Sequence, residues 1–366
     1  MELLKPSLNW LLVMAPVTVG LHYFRSDSHT LIFVSACLAI LPLAGWLGTA
    51  TEHLAARTGE GVGGLLNATF GNAAELIIAL VALKNGLFSV VKASLTGSII
   101  GNVLLVLGAA VLAGGIRHRN QKFNETAARI HATMLTLAAI ALIVPAAYHY
   151  LAGPAAIRRE LGLSTEISAV MLITYALGLV FSLHTHKHFF SGETGHAGGG
   201  HDIRAWPIRR SIAVLALSTA AIAWISEILV GSVENAAHAL GMTSIFVGVI
   251  VVAVVGNAAE HSTAIFAAMK NRMDLSLGIA MGSSIQIALF VAPVLVFASY
   301  VVAPRPMDLV FTPAEVLAIG LSILIMGQVA DDGESNWMEG VQLLAVYVIL
   351  GIVFYFLPEA PAVAAH

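Results

Sequence analysis

Eleven stretches of this chain are apolar and long enough to cross a bilayer as helices, and no other feature restricts the fold as much. They run over about 8–24, 30–50, 62–83, 89–114, 130–151, 166–184, 211–230, 244–269, 275–302, 313–330 and 340–357. A hydrocarbon layer about 30 Å thick is spanned by roughly 20 helical residues. Breakers mark many joints, among them Lys84-Asn85-Gly86, Gly153-Pro154 and Pro304-Arg305-Pro306. Charged residues make up 11% of the 366, against about 25% in a soluble domain, too few to coat a water-facing surface of this size. The expected fold is therefore an all-α membrane protein of about eleven transmembrane helices. The first apolar run, after Lys5, has no small-residue cleavage site and is expected to be a spanning helix and not a signal peptide. A net charge of −3 carries no nucleic-acid footprint. The single Cys37 excludes an intrachain disulfide and a multi-cysteine metal cluster.

The chain repeats itself. GNAAELIIALVALKNG begins at Gly71, and GNAAEHSTAIFAAMKNR begins at Gly256, 185 residues later. Gly97-Ser98 and Gly282-Ser283 share that offset, and Thr51-Glu52 answers Ser226-Glu227 at a different one. The expected organisation is a first helix in 1–29, one five-helix repeat in 30–184, a His/Gly-rich cytoplasmic linker in 185–210, a second five-helix repeat in 211–357, and a tail in 358–366. Five is odd, so two such units in series enter the membrane from opposite faces. Inverted repeats of this kind place a binding site near the midplane, where the two halves meet. Lys and Arg fall twelve on the side of the amino terminus and six on the other. The positive-inside rule then puts the amino terminus in the cytoplasm and the carboxyl terminus outside.

Glu75 and Glu260 sit within apolar segments, where an acid costs several kcal/mol. Inverted geometry lets them converge on one point. Asn72 and Asn257 lie one helical turn earlier, on nearly the same face. Gly71, Gly256 and the Ala pairs allow close packing, and the Gly-Asn step is a place for the helix to unwind and turn carbonyls toward an ion. Ser98 and Asn102 in the fourth segment, and Ser283 and Gln286 in the ninth, are polar in apolar runs. Gln286 aligns with Gly101 and not with Asn102, so the halves are not chemically identical. These four are candidates either for the ion's shell or for interhelical hydrogen bonds. The donor set is all oxygen, which suits a hard cation such as Ca²⁺ with roughly six to eight oxygens better than copper or zinc. The same acids can take protons instead. Two neighbouring carboxyls cannot both ionise cheaply without a cation, and they titrate as a unit.

GNAAELIIAL, GNAAEHSTAIFAAMKN, LGIAMGSSIQIALFVAPVL and DGESNWMEGVQLLAVY closely resemble the calcium/proton antiporters of the cation exchanger (CAX) type, within the calcium/cation antiporter superfamily. The resemblance covers about residues 30–357. It implies eleven helices with two inverted repeats, and alternation of Glu75 and Glu260 between Ca²⁺ and protons. It also implies that Asn72, Asn257, Ser98, Asn102, Ser283 and Gln286 line the site. No cofactor is expected beyond the transported ions. A bacterial inner (plasma) membrane is the expected location. Na⁺ or K⁺ exchanged for protons, or Na⁺ for Ca²⁺, is the alternative on the same fold. A cation channel is a rival of another class, and an enzyme is disfavoured by the lack of an HExxH signature or an intramembrane nucleophile and base.

Weaker features remain. Glu52 and Glu227, read at the ends of the second and seventh helices, are candidate gate acids, with Glu60 and Glu234 behind them. His184, His186, His188, His196 and His201, with Asp202, offer a metal or pH-sensing role against the plainer reading of a polar loop. Asp331-Asp332-Gly333-Glu334 and Glu339 are acidic but lack calcium-loop spacing.

Overall fold

The computed structural model describes residues 8–58, 60–152, 157–190 and 206–358. Its helices fall into eleven segments in the expected places. They are α1 (Leu8–Phe24), α2 (His29–Thr58), α3a (Glu60–Phe70) with α3b (Ala73–Lys84), α4 (Phe88–Arg117), α5 (Glu125–Ala152) and α6 (Ile157–Val180, extended by Phe181–Thr185). Then come α7 (Ile208–Ala239), α8a (Ser244–Gly256) with α8b (Ala258–Met269), α9 (Met273–Val302), α10 (Pro313–Val329) and α11 (Trp337–Phe356). Seven of these are single helices long and apolar enough to cross a membrane, and the bent pair α8a–α8b makes an eighth.

Several helices outrun their apolar cores. α2 continues eight residues past the expected end at 50, and α7 nine past 230. Hydropathy reports where hydrocarbon lies, whereas a tilted helix keeps its backbone bonds into the headgroup region. Pro42 and Pro145 sit inside α2 and α5, as membrane helices tolerate where neighbours satisfy the freed backbone groups.

Loop contacts sort by face. Where α4, α8 and α10 end, β1 (Gln121–Lys122) pairs antiparallel with β2 (Glu334–Ser335), and Gln121 donates to the Ala268 carbonyl at the end of α8b. Asn9 of α1, Trp46 and His53 of α2 and Trp206 before α7 also cluster at one end. At the other face Lys92 of α4 pairs with Asp308 in the α9–α10 connection, and Thr165 of α6 bonds Tyr300 of α9. This is what strict alternation of crossing direction requires.

Two apolar clusters build the interior. One is centred on α4 and α9, with Ile99, Ile100, Leu104, Ile287 and Leu289 fully enclosed. The other lies along α2 and α7, through Ile40, Leu47, Ile222, Leu229 and Val233. The broken helices run between them. Ala73, Ala74 and Ile78 of α3b join the second cluster, while Ala79, Ala82 and Leu83 join the first.

Candidate ion-binding site between two broken helices

The Gly-Asn step interrupts the helix in both copies. α3a ends at Phe70 and α3b starts at Ala73, while Asn257 separates α8a from α8b at a 63° bend. Each motif acid therefore stands in the first turn of a half-helix. There the backbone N–H groups and the positive end of the dipole favour a carboxylate. The preceding half-helix ends at the same break, with Asn67 O accepting from Gly71 N–H and Ala253 O from Asn257 N–H.

The two motifs interlock. A Cβ built on Gly256 would stand 3.2 Å from Glu75 Oε1, and one built on Gly71 would stand 3.3 Å from Gln286 Oε1 and 3.8 Å from Glu260 Oε1. Gly256 thus leaves room for Glu75 and Gly71 for Gln286, with Glu260 in ordinary contact beside it, so that the two acids face one centre. Glu75 is buried, and Glu260 is buried in part. Glu260 Oε2 is shut off from solvent and has no hydrogen-bond partner among the described residues. A desolvated carboxylate oxygen is costly, and a cation or a proton is what it can take there.

The four polar residues of α4 and α9 are tied into the same centre. Asn72 Nδ2 donates to Gln286 Oε1, and Ser283 Oγ donates to Asn72 Oδ1 (2.8 Å). Asn102 Nδ2 donates to Ser283 Oγ (3.0 Å) and reaches Asn257 Oδ1 (3.5 Å). Asn257 Nδ2 donates to Ser98 Oγ (3.0 Å) and to the Ala253 carbonyl (2.8 Å). All six amide and hydroxyl side chains named from the sequence are thus gathered around Glu75 and Glu260 in one oxygen-rich network. Gly101–Val106 in α4, which includes Asn102, and Ile287–Val291 in α9, just past Gln286, form wide π-type turns. Such turns often occur at functional sites.

The centre is not equally open to both faces. Gly71 is exposed and Gly256 buried. α8a packs along α4, whereas α3a, its counterpart, packs against α2. The more exposed glycine is thus the one at the end of the half-helix that starts from the amino-terminal face.

The candidate gate acids lie elsewhere. Glu52 is six residues before the end of α2 and Glu227 twelve before the end of α7, so neither is at a helix end as the apolar boundaries had implied. Both are exposed, and Glu227 pairs with Lys84 at 3.2 Å. Glu234 is exposed on α7. Glu60 opens α3a, with its side chain outside the described part. His186 and His188 stack with Phe181 and Phe189. Among the described residues no three His, Cys, Asp or Glu form a metal-holding group; His196, His201 and Asp202 lie outside them. Asp331 pairs with Arg129, and Glu334 with Lys122.

Sequence reading missed one ionic cluster. Lys92 Nζ donates to Asp308 Oδ1 (2.6 Å) and to the Val310 carbonyl (2.8 Å). Burial works against the Asp308 charge, but Lys92 and the Val310 N–H outweigh it and hold the carboxyl below its ordinary value. Nearby, Glu315 closes the capping box of α10 with Thr312. The pattern Thr-Pro-Ala-Glu was the legible signal for that cap. Lys92, counted only as a loop charge, gave no sign of its partner.

Comparison with known proteins agrees with this architecture. The family described as "Sodium/calcium exchanger protein" matches residues 28–184 and 210–356. The Ca(2+)/H(+) antiporter of Aphanothece halophytica is 44% identical over 367 residues, covering 96% of this chain and 97% of that one. The Ca(2+)/H(+) antiporter ChaA of Bacillus subtilis is 44% identical over 327 residues, covering 89% and 92%. The solved structure of native YfkE superposes with a TM-score of 0.81 at 40% identity, over 96% of this chain and 99% of that one. With two interlocked broken helices in an all-helical membrane fold, and near full-length identity to these relatives, the chain belongs to the sodium/calcium exchanger protein family.

Proposed function

We propose that this protein is a secondary antiporter that moves Ca²⁺ out of the cytoplasm in exchange for protons. Glu75 and Glu260 are its shared ligands and proton carriers, and Asn72, Asn257, Ser98, Asn102, Ser283 and Gln286 shape the site with Gly71 and Gly256. The reading rests chiefly on one observation: each acid lies against the other motif's glycine, with Glu260 Oε2 buried and unpartnered among the described residues. Two like charges ~4 Å apart repel by about 4 kcal/mol at an effective dielectric of ~20. A buried pair of carboxylates is therefore occupied either by a divalent cation or by protons. That exclusion is the physical basis of exchange, and two carboxyls provide for two protons against one Ca²⁺. The names of the relatives, Ca(2+)/H(+) antiporters, support the choice of ions. The eleven segments are read as eleven spans, one extra helix and two inverted repeats. The amino terminus is assigned to the cytoplasm, the membrane being the plasma membrane.

The test is proton-driven Ca²⁺ uptake into inverted vesicles. Glu75→Gln and Glu260→Gln each remove one charge and keep the shape. Each is expected to lower uptake by about a hundredfold, since a hydrogen-bonded charge lost from a desolvated site costs about 3 kcal/mol. Full uptake by either folded variant would refute the assignment. Replacing Ca²⁺ with Na⁺ or K⁺ in the same vesicles is expected to give no comparable flux.

A further inference from the structure

Gly97 of α4 and Gly282 of α9 occupy equivalent places in the two halves, 185 residues apart, one residue before the site serines. Their surroundings are opposite. A Cβ on Gly97 would overlap the Val249 carbonyl of α8a. A Cβ on Gly282 would meet no atom of the described residues within 4 Å. The α4–α8a seam is tight along its length, since a Cβ on Gly248 would come within 2.7 Å of Ala93 Cβ. The counterpart of Val249 is Gly64 of α3a. It rests instead beside Leu183 of the α6 segment, and neighbouring Gly63 lies on the Ala55 carbonyl of α2. One half-helix is seated and its twin is not.

We infer that Gly97 and Gly282 are the two seats on which the broken helices close. α8a on Gly97 seals the site from one face, as seen here, and α3a on Gly282 seals it from the amino-terminal face in the alternate state. Each bare Cα is then needed in one state only. The inference deepens the antiporter reading and rests on its alternating access. Close packing of small residues in membrane helices explains Gly97 alone. It does not explain an equivalent glycine that meets no atom of the described residues. A side chain on Gly282 costs nothing in the present state and blocks the other, so it traps the protein open to the amino-terminal face. A side chain on Gly97 does the reverse.

Accessibility of single cysteines tests this without any ion gradient. In a Cys37→Ala background, which removes the sole cysteine, Asn67→Cys on α3a and Val252→Cys on α8a are equivalent reporters. The first position is exposed and the second buried in this structure. A membrane-impermeant maleimide is applied to each face of the vesicles. Gly282→Val is expected to leave the Asn67→Cys rate unchanged, lower the Val252→Cys rate about tenfold, and abolish exchange in a protein that still folds. Gly97→Val is expected to raise the Val252→Cys rate about tenfold from the opposite face and lower that of Asn67→Cys. Tenfold is within what overpacking strain supplies. Both variants shifting the reporters the same way would overturn the proposal, as would a Gly282→Val protein with unchanged labelling and transport. If Gly97→Val does not fold, the Gly282→Val arm decides. Should Ca²⁺/proton exchange itself be absent, the labelling result still stands or falls alone.

Discussion

Asn102 shows how much of the site is carried by residues that the repeat does not duplicate. Its position corresponds to Ile287 in the second half, yet its amide joins Ser283 to Asn257 and so links the two motifs. Asn102→Leu, close in volume, leaves the Ser283 and Asn257 oxygens without that donor. A buried acceptor so orphaned costs about 1–3 kcal/mol. Titration of Ca²⁺-dependent flux should show apparent affinity weakened by about tenfold. Ser284→Ala, which removes a hydroxyl bonded mainly to its own helix at Ala280, should change it little. The candidate site residues stood out in the sequence because polar groups are conspicuous in apolar segments. Their wiring was not, because helical spacing gives the face a side chain shares and not the partner it meets across a crossing.

Among the elements, the half-helices carry the information that hydropathy hides. An apolar run reads the same whether its helix is whole or broken, so the sequence placed Glu75 and Glu260 well along continuous spans. The break at Gly71-Asn72 and at Asn257 moves both to helix N-termini. The doubled Gly-Asn was the one hint. The α9–α10 connection was also opaque, because Lys92 and Asp308 are 216 residues apart. Removing one partner of a largely enclosed pair destabilises by about 1–3 kcal/mol when the site is partly wet. Asp308→Asn should lose that increment at neutral pH. Because the Asp308 carboxyl is held below its ordinary value, the pair's contribution is complete above the ordinary carboxylate range and fades as pH falls through the lowered one. Thermal unfolding in detergent from neutral to acid should therefore show wild type and Asp308→Asn converging. A constant gap would contradict the assigned ion pair.

For the molecule as a whole, the order of the helical segments among the described residues followed the apolar runs, while their crossing directions rest on the oddness of a five-helix unit. The ends did not, since α2 and α7 extend beyond the apolar runs that defined them. Nor did the state of the molecule, because a sequence with two near-equivalent halves contains no statement of which half is closed. The twelve-to-six distribution of Lys and Arg predicts which face is cytoplasmic. In the Cys37→Ala background, Arg119→Cys and Arg305→Cys, both at exposed positions, should be modified by an impermeant reagent from opposite sides. Arg305→Cys should react in intact cells and Arg119→Cys only after inversion. Labelling of both from one side would break the alternation that the loop contacts describe.

The reciprocal fit of glycine and acid has a consequence for inheritance. Gly256 makes room for the Glu75 carboxylate, encoded some 180 codons away, and Gly71 for the Gln286 amide, some 215 away, so a mutation at either glycine is, in effect, an injury to a site side chain of the other half. After the duplication that the repeat records, the two copies were free to diverge in their linkers, loops and outer helices, but not independently at these positions. An enlarged side chain at Gly256 therefore calls for a compensating change at Glu75, in the opposite copy.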